Sequence, residues 1–260
     1  MKVLICRSHP EAIERSVRMI EAHIRDTPRP VLGLATGGTM LPLYKRLAEL
    51  HRDAGLSFAG CSSFNLDEYV GIAPDHPASY HVYMRRALFD HVDIDLARTH
   101  LPRGDAADVH AEARAFEDRI SAEGGISLQL LGIGQNGHIG FNEPTSSLGS
   151  RTRIKTLTES TRIANRQYFG EGETPPHYAL TMGIGTILDA RECLLVATGK
   201  AKSAAVAAMV EGPVSAICPA SALQLHARAT IVLDQDAASE LKLMDYYQHV
   251  HPDGGDTSFD

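Results

Sequence analysis

Short apolar runs alternate along this chain with longer segments that have helical spacing. Strands separated by helices form βαβ units, whose strands pair in parallel and whose helices cover both faces of the sheet. The alternation therefore predicts an α/β fold with a mainly parallel sheet and helices on both of its faces. The predicted strands are KVLI from Lys2, VLGLA from Val31, SSFNL from Ser62, ISLQLLGIG from Ile126, CLLVA from Cys193 and ATIVLD from Ala229.

The segments between these strands are predicted to be helices. They cover residues 11–25 and 41–52, a capped segment that begins near Ser79, and KAKSAAVAAMVEG from Lys200. No internal repeat or low-complexity linker divides the sequence, so we expect a single domain over residues 1–250. Residues 251–260 are polar and rich in glycine, and a flexible tail is expected there.

The composition argues against several classes of protein. A formal net charge of −7 disfavours a nucleic-acid binder or an anionic-membrane binder, since both need a basic face. The four cysteines lie far apart and form no CxxC pair, so neither a zinc site nor a disulfide framework is expected. The apolar run near the first residue is too short for a signal peptide, and no run approaches the ~20 residues of a membrane span. These features predict a cytoplasmic protein without a metal site.

A glycine turn follows the second predicted strand and precedes a helix. It consists of Thr36, Gly37, Gly38 and Thr39. Backbone N–H groups in such a turn can cradle a phosphate, with help from the threonine hydroxyls and the helix N-terminus. The same residues also suit a tight turn that needs glycine only for its geometry. On this segment alone, neither interpretation is favoured.

Two more polar segments follow predicted strands. Asp67 and Glu68 come directly after SSFNL, and the glycine-rich run GIGQNGHIGFNEP, residues 132–144, continues the fourth strand. Ligands bind outside the carboxyl ends of parallel strands, so we expect both segments to lie beside the TGGT turn. Asp67 would then be a carboxylate base at a strand tip, although an Asp-Glu pair is more often solvated in a loop.

The glycine-rich run also carries His138 and Glu143. A carboxylate that orients an imidazole forms an acid–base pair, whereas a lone histidine is more often structural. Lys202 and Arg166 can add positive charge for a phosphate, although basic residues on helices are usually just solvated. Together these residues predict a metal-free enzyme that abstracts a proton next to a masked carbonyl on a phosphorylated sugar.

Five motifs resemble the glucosamine-6-phosphate deaminase family, also called the glucosamine/galactosamine-6-phosphate isomerases. The resemblance implies a Rossmann-like α/β domain that needs no metal or organic cofactor. It also implies the isomerisation and deamination of glucosamine 6-phosphate to fructose 6-phosphate and ammonium, in the catabolism of N-acetylglucosamine. The motifs are GLATGGT, FNLDEYVGI, GIGQNGHIGFNEP, SSLGSRTRIKTLT and VEGPVSAICPASALQLH.

The resemblance implies a role for each candidate catalytic residue. His138 would open the pyranose ring by moving a proton from the C1 hydroxyl to the ring oxygen, with support from Glu143 and Asn136. Asp67 would then take the C2 proton and deliver it to C1. Many family members carry aspartate at position 136, and the asparagine found here can hydrogen-bond an imidazole but cannot stabilise its positive charge.

For the substrate phosphate, the resemblance implies the TGGT turn together with Lys202. The family motif ANSRFF reads ANRQYF here, so the phosphate-binding arginine of the family falls on Gln167. Arg166 lies one place away and is the candidate for that contact, and the sequence leaves open whether its side chain turns toward the phosphate.

The resemblance also implies a second sugar-phosphate site. Some family members are hexamers activated by N-acetylglucosamine 6-phosphate, which binds between subunits. The matching positions here are Ser146, Arg153, Lys155 and Thr156, and Tyr247 lies near the C-terminal tyrosine of that site. A homo-oligomer with an activator site is therefore expected, although a basic strand that only packs fits the same residues, since allostery requires two global states.

Two alternative functions share this fold. A 6-phosphogluconolactonase-like hydrolase would suit the TGGT turn, but the GFNEP run argues against it. A non-catalytic sugar-phosphate-sensing domain would accompany a helix-turn-helix, and the sequence shows no basic recognition helix.

Overall fold

Two sheets organise the computed structural model, which describes residues 1–255 of the chain. Every strand expected from the sequence is present, and four short strands were not predicted: β4, β5, β7 and β8. Numbered along the chain, the strands are β1 (Lys2–Cys6), β2 (Val31–Leu34), β3 (Ser62–Asn65), β4 (Asp67–Tyr69), β5 (Thr99–His100), β6 (Leu128–Leu131), β7 (Arg153–Thr156), β8 (Tyr178–Thr181), β9 (Cys193–Ala197) and β10 (Ala229–Asp234).

The larger sheet has seven strands in the order β1-β10-β9-β6-β2-β3-β5. All of its strand pairs are parallel, which confirms the predicted mainly parallel sheet. Its strands are almost entirely buried, as expected for a parallel sheet that is covered on both faces.

Helices connect the parallel strands and bury the sheet. Crossovers between parallel strands are right-handed. The chain crosses the sheet in one direction from β1 to β5 and in the other direction from β5 to β10, so the crossover helices before β5 and those after β5 cover opposite faces. The chain is a single-domain, Rossmann-like α/β fold. Its helices are α1 (His9–Asp26), α2 (Met40–Ala54), α3 (Tyr80–Ala87), α4 (Val109–Ala122), α5 (Glu159–Asn165), α6 (Ile184–Leu188), α7 (Ser203–Val210), α8 (Gln235–Ala238) and α9 (Met244–Val250).

The order of the strands reverses between β2 and β6. From β2 the chain continues to β3 on one side, whereas from β6 it continues to β9 on the other side. The loops that leave these two neighbours therefore diverge and leave a crevice at the carboxyl edge of the sheet. The TGGT turn follows β2, and the glycine-rich run follows β6.

A second, antiparallel sheet lies beside this edge, with the order β4-β8-β7. Asp67 in β4 pairs with Thr181 in β8, which in turn pairs with Arg153 in β7. Asp67 to Tyr69 are therefore part of a strand rather than a loop that follows β3. This arrangement fixes the Asp-Glu pair between the two sheets.

Helix α3 begins where the sequence predicts a capped helix. The Ser79 side chain accepts a hydrogen bond from the Val82 N–H at 3.1 Å, which satisfies one of the free donors of the first turn. This cap fixes the start of a helix whose later residues face the crevice.

The C-terminal part of the described chain packs against β1. A short 3₁₀ turn at Pro252–Gly254 lies so close to Cys6 that a Cβ on Gly254 would be 2.9 Å from the Cys6 Sγ. The flexible tail expected from residue 251 therefore does not include residues 251–255, and residues 256–260 lie outside the described part.

Within residues 1–255, no helix has both the length and the apolar character that a membrane crossing requires.

Candidate active site

A cleft of about 910 Å³ opens at the carboxyl edge of the parallel sheet. It brings together all three polar segments that the sequence placed at strand ends: the TGGT turn, Asp67, and the glycine-rich run with Asn136 and His138. Helices α3 and α5 form its outer sides. This volume is in the range of small-molecule binding sites.

The TGGT turn presents its backbone to the cleft. Gly37 has φ +108°, which L side chains rarely adopt, and a Cβ on Gly37 or Gly38 would meet no atom within 4 Å. Thr39 caps the 15-residue helix α2 without a side-chain hydrogen bond. The Met40 N–H donates to the Gly37 backbone oxygen at 3.0 Å, and Pro42 has no N–H. Within residues 1–255, the N–H groups of Gly38, Thr39 and Leu41 form no hydrogen bond, so they can bind an anion at the positive end of the helix dipole.

Lys202 lines the same cleft and precedes helix α7. Burial lowers the pKa of its ammonium, and within residues 1–255 this ammonium has no carboxylate partner. A partly desolvated cation without a counter-ion is suited to binding an anion.

Arg166 does not take the position that the sequence suggested. It is exposed and is not part of the cleft lining, whereas its neighbour Gln167 lines the cleft. The two residues lie in a 3₁₀ turn, Arg166–Tyr168, directly after α5. This turn directs position 167 toward the cleft, so a neutral amide occupies the place expected for a cation.

Asp67 is buried at the base of the cleft, with 5% of its surface exposed. Burial and the charge of Glu68 raise the pKa of its carboxyl to about 8, although the backbone N–H of Phe141 opposes the shift. A Cβ on Gly140 would lie 3.4 Å from the Asp67 Oδ2, so the loop that carries His138 passes directly against this carboxyl. Asp67 therefore has the position and the pKa of a general base that works near neutral pH.

Glu68 points away from Asp67, as successive residues of a strand do. Its Oε2 accepts hydrogen bonds from the N–H groups of Tyr80 and His81 at 2.9 and 3.2 Å, and it lies 2.9 Å from the His81 Nδ1. Glu68 thus ties β4 to the start of α3. Both carboxylates are buried, so the interpretation of this pair as solvated loop residues is wrong.

His138, Asn136 and Glu143 form one cluster in the glycine-rich run. The Glu143 Oε2 accepts a 2.7 Å hydrogen bond from the Asn136 Nδ2 and lies 3.5 Å from the His138 Nδ1. The Asn136 Oδ1 accepts a 3.3 Å bond from the His138 N–H. Gly134 lies under the imidazole, where a Cβ would be 2.3 Å from the ring. These contacts orient the His138 ring and place the Glu143 carboxylate beside it.

The Glu143 carboxylate is buried and strongly held. Burial alone would raise the pKa of its carboxyl, but hydrogen bonds and charge from His138, Thr161 and Asn136 lower that pKa to about 2. Glu143 therefore remains ionised and can stabilise a positive charge on His138.

Helix α5 supplies a contact that the sequence did not reveal. The Thr161 hydroxyl donates to the Glu143 Oε1 at 2.5 Å, and the Thr158 hydroxyl donates to the same oxygen at 3.2 Å. Thr158 is also the N-cap of α5. The helix that borders the cleft is thus bonded to the carboxylate behind His138.

Two of the predicted activator-site residues lie directly behind this loop. The Ser146 hydroxyl donates to the Glu143 backbone oxygen at 2.6 Å, and the half-buried Arg153 donates to the Asn142 Oδ1 at 2.8 Å. Both residues therefore contact the segment that carries Glu143.

The other three predicted activator-site residues do not join them. Lys155 and Thr156 lie on β7 with partial or full exposure, whereas Tyr247 lies on α9 with its hydroxyl 3.4 Å from a Glu211 carboxylate oxygen. Within residues 1–255, Tyr247 forms no hydrogen bond to the other four.

Residues 1–255 contain no group of three or more histidine, cysteine or acidic side chains that could hold a metal ion.

The sequence profile of the family described as glucosamine-6-phosphate isomerases/6-phosphogluconolactonase matches residues 8–232. The chain belongs to this family. It is 57% identical over 252 residues to a glucosamine-6-phosphate deaminase of Marinomonas sp. (strain MWYL1), with 95% of this chain and 94% of the relative covered. A relative with the same name from Hahella chejuensis (strain KCTC 2396) is 54% identical over 255 residues, with 96% and 95% covered.

Solved structures of the isomerase/lactonase family share the fold. One described as a monomeric glucosamine-6-phosphate deaminase superposes with a TM-score of 0.89 at 45% identity, covering 92% of this chain and 100% of that one. The 6-phosphogluconolactonase of Trypanosoma brucei superposes with a TM-score of 0.74 at 20% identity, covering 92% and 98%. The second likeness shows a common fold only.

We predict that the Thr161 hydroxyl positions Glu143 for catalysis. Thr161→Val removes one donor to a buried carboxylate, which costs about 1.5–3 kcal/mol. We expect kcat to fall by about tenfold, Thr161→Ser to restore it, and the melting temperature to fall. Steady-state kinetics and thermal unfolding measure both effects.

Thr186→Val is the matched control. Its hydroxyl donates at 2.6 Å to the Glu117 Oε1, a carboxylate that is not part of the cleft lining. This variant should lose a similar amount of stability and keep its kcat. Equal losses of kcat in the two valine variants would contradict a positioning role for Thr161.

Proposed function

We propose that this chain converts glucosamine 6-phosphate and water to fructose 6-phosphate and ammonium, in amino-sugar catabolism. Relatives more than 50% identical over almost the whole chain carry the name of this activity. The observation that carries the proposal is the cleft itself. A buried carboxyl with a raised pKa and an imidazole backed by a carboxylate line one cavity together with an anion-binding turn.

The first step is ring opening. The phosphate binds the TGGT turn and Lys202, which holds the sugar with its C1 end at His138. The imidazole accepts the proton of the C1 hydroxyl and returns a proton to the ring oxygen as the C1–O5 bond breaks. Glu143 stabilises the transient imidazolium, because it remains ionised beside the His138 ring.

The second step moves a proton from C2 to C1. The Asp67 carboxylate removes the C2 proton, and the electrons of that C–H bond form a C1=C2 double bond. The C1 carbonyl oxygen takes a proton from the 2-ammonium group of the substrate, which gives an enolamine. Asp67 then protonates C1, which leaves an iminium at C2. Water adds to this carbon, ammonia leaves, and the keto sugar results. A positioned general base is typically worth about 10²–10⁴-fold in rate.

Asn136 has a role in this scheme that differs from that of an aspartate. Its side chain donates to Glu143 and accepts from the His138 backbone, so it positions both members of the pair. Glu143 alone then supplies the negative charge next to the ring.

A lactonase activity is the second candidate, and only the common fold favours it. The sensing-domain alternative has no structural feature in its favour among residues 1–255. The buried general base distinguishes the proposed function, because lactone hydrolysis leaves the C2–H bond intact and moves no proton from C2 to C1.

The proposal predicts stoichiometric ammonium and fructose 6-phosphate from glucosamine 6-phosphate without added metal or cofactor. A coupled assay for both products measures this. The absence of turnover, combined with hydrolysis of 6-phosphogluconolactone, would contradict the proposal in favour of the lactonase.

Asp67→Asn is predicted to lower kcat by at least about 10²-fold, because the amide cannot accept the C2 proton. Substrate binding should survive, since the amide resembles the protonated carboxyl.

In the wild-type enzyme, the raised pKa of Asp67 shifts the acidic limb of the pH profile of kcat/KM to higher pH. Activity should rise tenfold per pH unit and level off near pH 8, the pKa of Asp67. A limb near pH 4, or normal turnover by Asp67→Asn beside an Asp53→Asn control, would remove Asp67 from this role.

We also propose a homo-oligomer in which N-acetylglucosamine 6-phosphate binds at Ser146, Arg153, Lys155, Thr156 and Tyr247. The contacts of Ser146 and Arg153 with the Glu143 loop support a coupling between this site and the cleft. A structure 45% identical is described as monomeric, so the assembly needs its own test. We expect sedimentation velocity to show a species larger than the 28.2 kDa chain and the activator to lower KM. A monomer whose KM is unaffected would contradict this assembly.

A further inference from the structure

Arg86 is a cleft residue that the steps above do not use. It lies on helix α3 and lines the cleft together with Tyr80 and Tyr83 from the same helix. Residues three apart on a helix share one face, so these three side chains form a single stripe that borders the cleft.

A hydrogen bond fixes this stripe against the anion-binding turn. The Tyr83 hydroxyl donates to the Gly37 backbone oxygen at 2.8 Å. Arg86 lies one turn further along the same face of α3, and its long side chain extends from a helix that is already bonded to the TGGT turn. Arg86 is thus positioned at the phosphate end of the cleft rather than at the Asp67 end.

The positively charged side chains that line the cleft have no carboxylate partner within residues 1–255. Arg86 and Lys202 are the only arginine or lysine residues among the described residues that line the cleft. Within residues 1–255 the Arg86 guanidinium forms no ion pair or hydrogen bond, whereas its neighbour Arg85 is paired with Asp90. An unpaired guanidinium that faces a cleft is free to bind two oxygens of a phosphate at once.

Position 167 does not supply a second charge. Gln167 lines the cleft as a neutral amide, and Arg166 points elsewhere. A phosphate monoester carries nearly two negative charges near neutral pH, so Lys202 alone leaves it only partly neutralised.

We propose that Arg86 is the second cationic ligand of the substrate phosphate, and that it determines the preference of the enzyme for 6-phosphorylated over unphosphorylated amino sugars. This inference rests on the proposed function for the identity of the substrate. It assigns to helix α3 a contact that the segment after α5 does not make in this chain.

The test compares four variants: Arg86→Ala, Arg86→Lys, Arg85→Ala and Arg166→Ala. Loss of a hydrogen-bonded charge pair should raise KM for glucosamine 6-phosphate by about 10- to 100-fold in Arg86→Ala. The change in kcat should be smaller, because a phosphate contact remote from the reacting carbons binds ground state and transition state alike. Arg86→Lys should recover part of the affinity, and Arg85→Ala should match the wild type.

A second readout does not depend on turnover. Inorganic phosphate, titrated calorimetrically, should bind Arg86→Ala more weakly than wild type by a similar factor. Adding Gln167→Arg to Arg86→Ala should restore binding, since that position faces the same cleft. Normal phosphate binding by Arg86→Ala, or a loss confined to Arg166→Ala, would overturn the assignment. An enzyme that binds phosphate through Arg86 but does not release ammonium would instead contradict the proposed function alone.

Discussion

The reversal of strand order between β2 and β6 is the constraint on which the site depends. Loops that leave these neighbouring strands turn to opposite sides, so the sheet edge between them stays open. The TGGT turn and the glycine-rich run then face each other across the opening, and the second sheet adds Asp67 from a third direction. The location of the cleft thus follows from connectivity, and its chemistry follows from a few side chains placed there.

Two buried carboxyl groups illustrate how the environment assigns those roles. Glu143 receives hydrogen bonds from Asn136, from Thr161 of α5 and from its N-cap Thr158, and the pKa of Glu143 falls to about 2. Asp67 has fewer donors and a second carboxylate next to it, and its pKa rises to about 8. Glu143 is therefore suited to support an imidazole as a charged group, and Asp67 is suited to exchange a proton near neutral pH.

Much of this arrangement could be predicted from the sequence, because its signals are local. Apolar runs located the long parallel strands, and glycines located the TGGT turn and the run that carries His138. The second sheet was not predicted, since charged residues interrupt β4 (DEY) and β7 (RIKT), and β8 pairs only with these two strands. Thr161 also lacked a signal, because its contact with Glu143 arises only when α5 folds over the cleft.

At the phosphate end of the cleft, the structure differs from the sequence-based expectation by one residue position. The sequence pointed to Arg166, but the 3₁₀ turn after α5 faces Gln167 into the cleft instead. A register of one residue within a short turn cannot be read from composition. The spacing of Tyr80, Tyr83 and Arg86 on a capped helix was the available signal for a cleft-facing stripe.

The proposed mechanism requires Asp67 and His138 to act on one sugar that is held by its phosphate. A crystal structure with an open-chain analogue, the 2-amino hexitol 6-phosphate, tests it most directly. We expect the phosphate on the TGGT turn, the Asp67 carboxyl about 3–3.5 Å from C1 and C2, and the His138 ring at the C5 hydroxyl. An analogue bound with C1 and C2 facing away from Asp67 would contradict it.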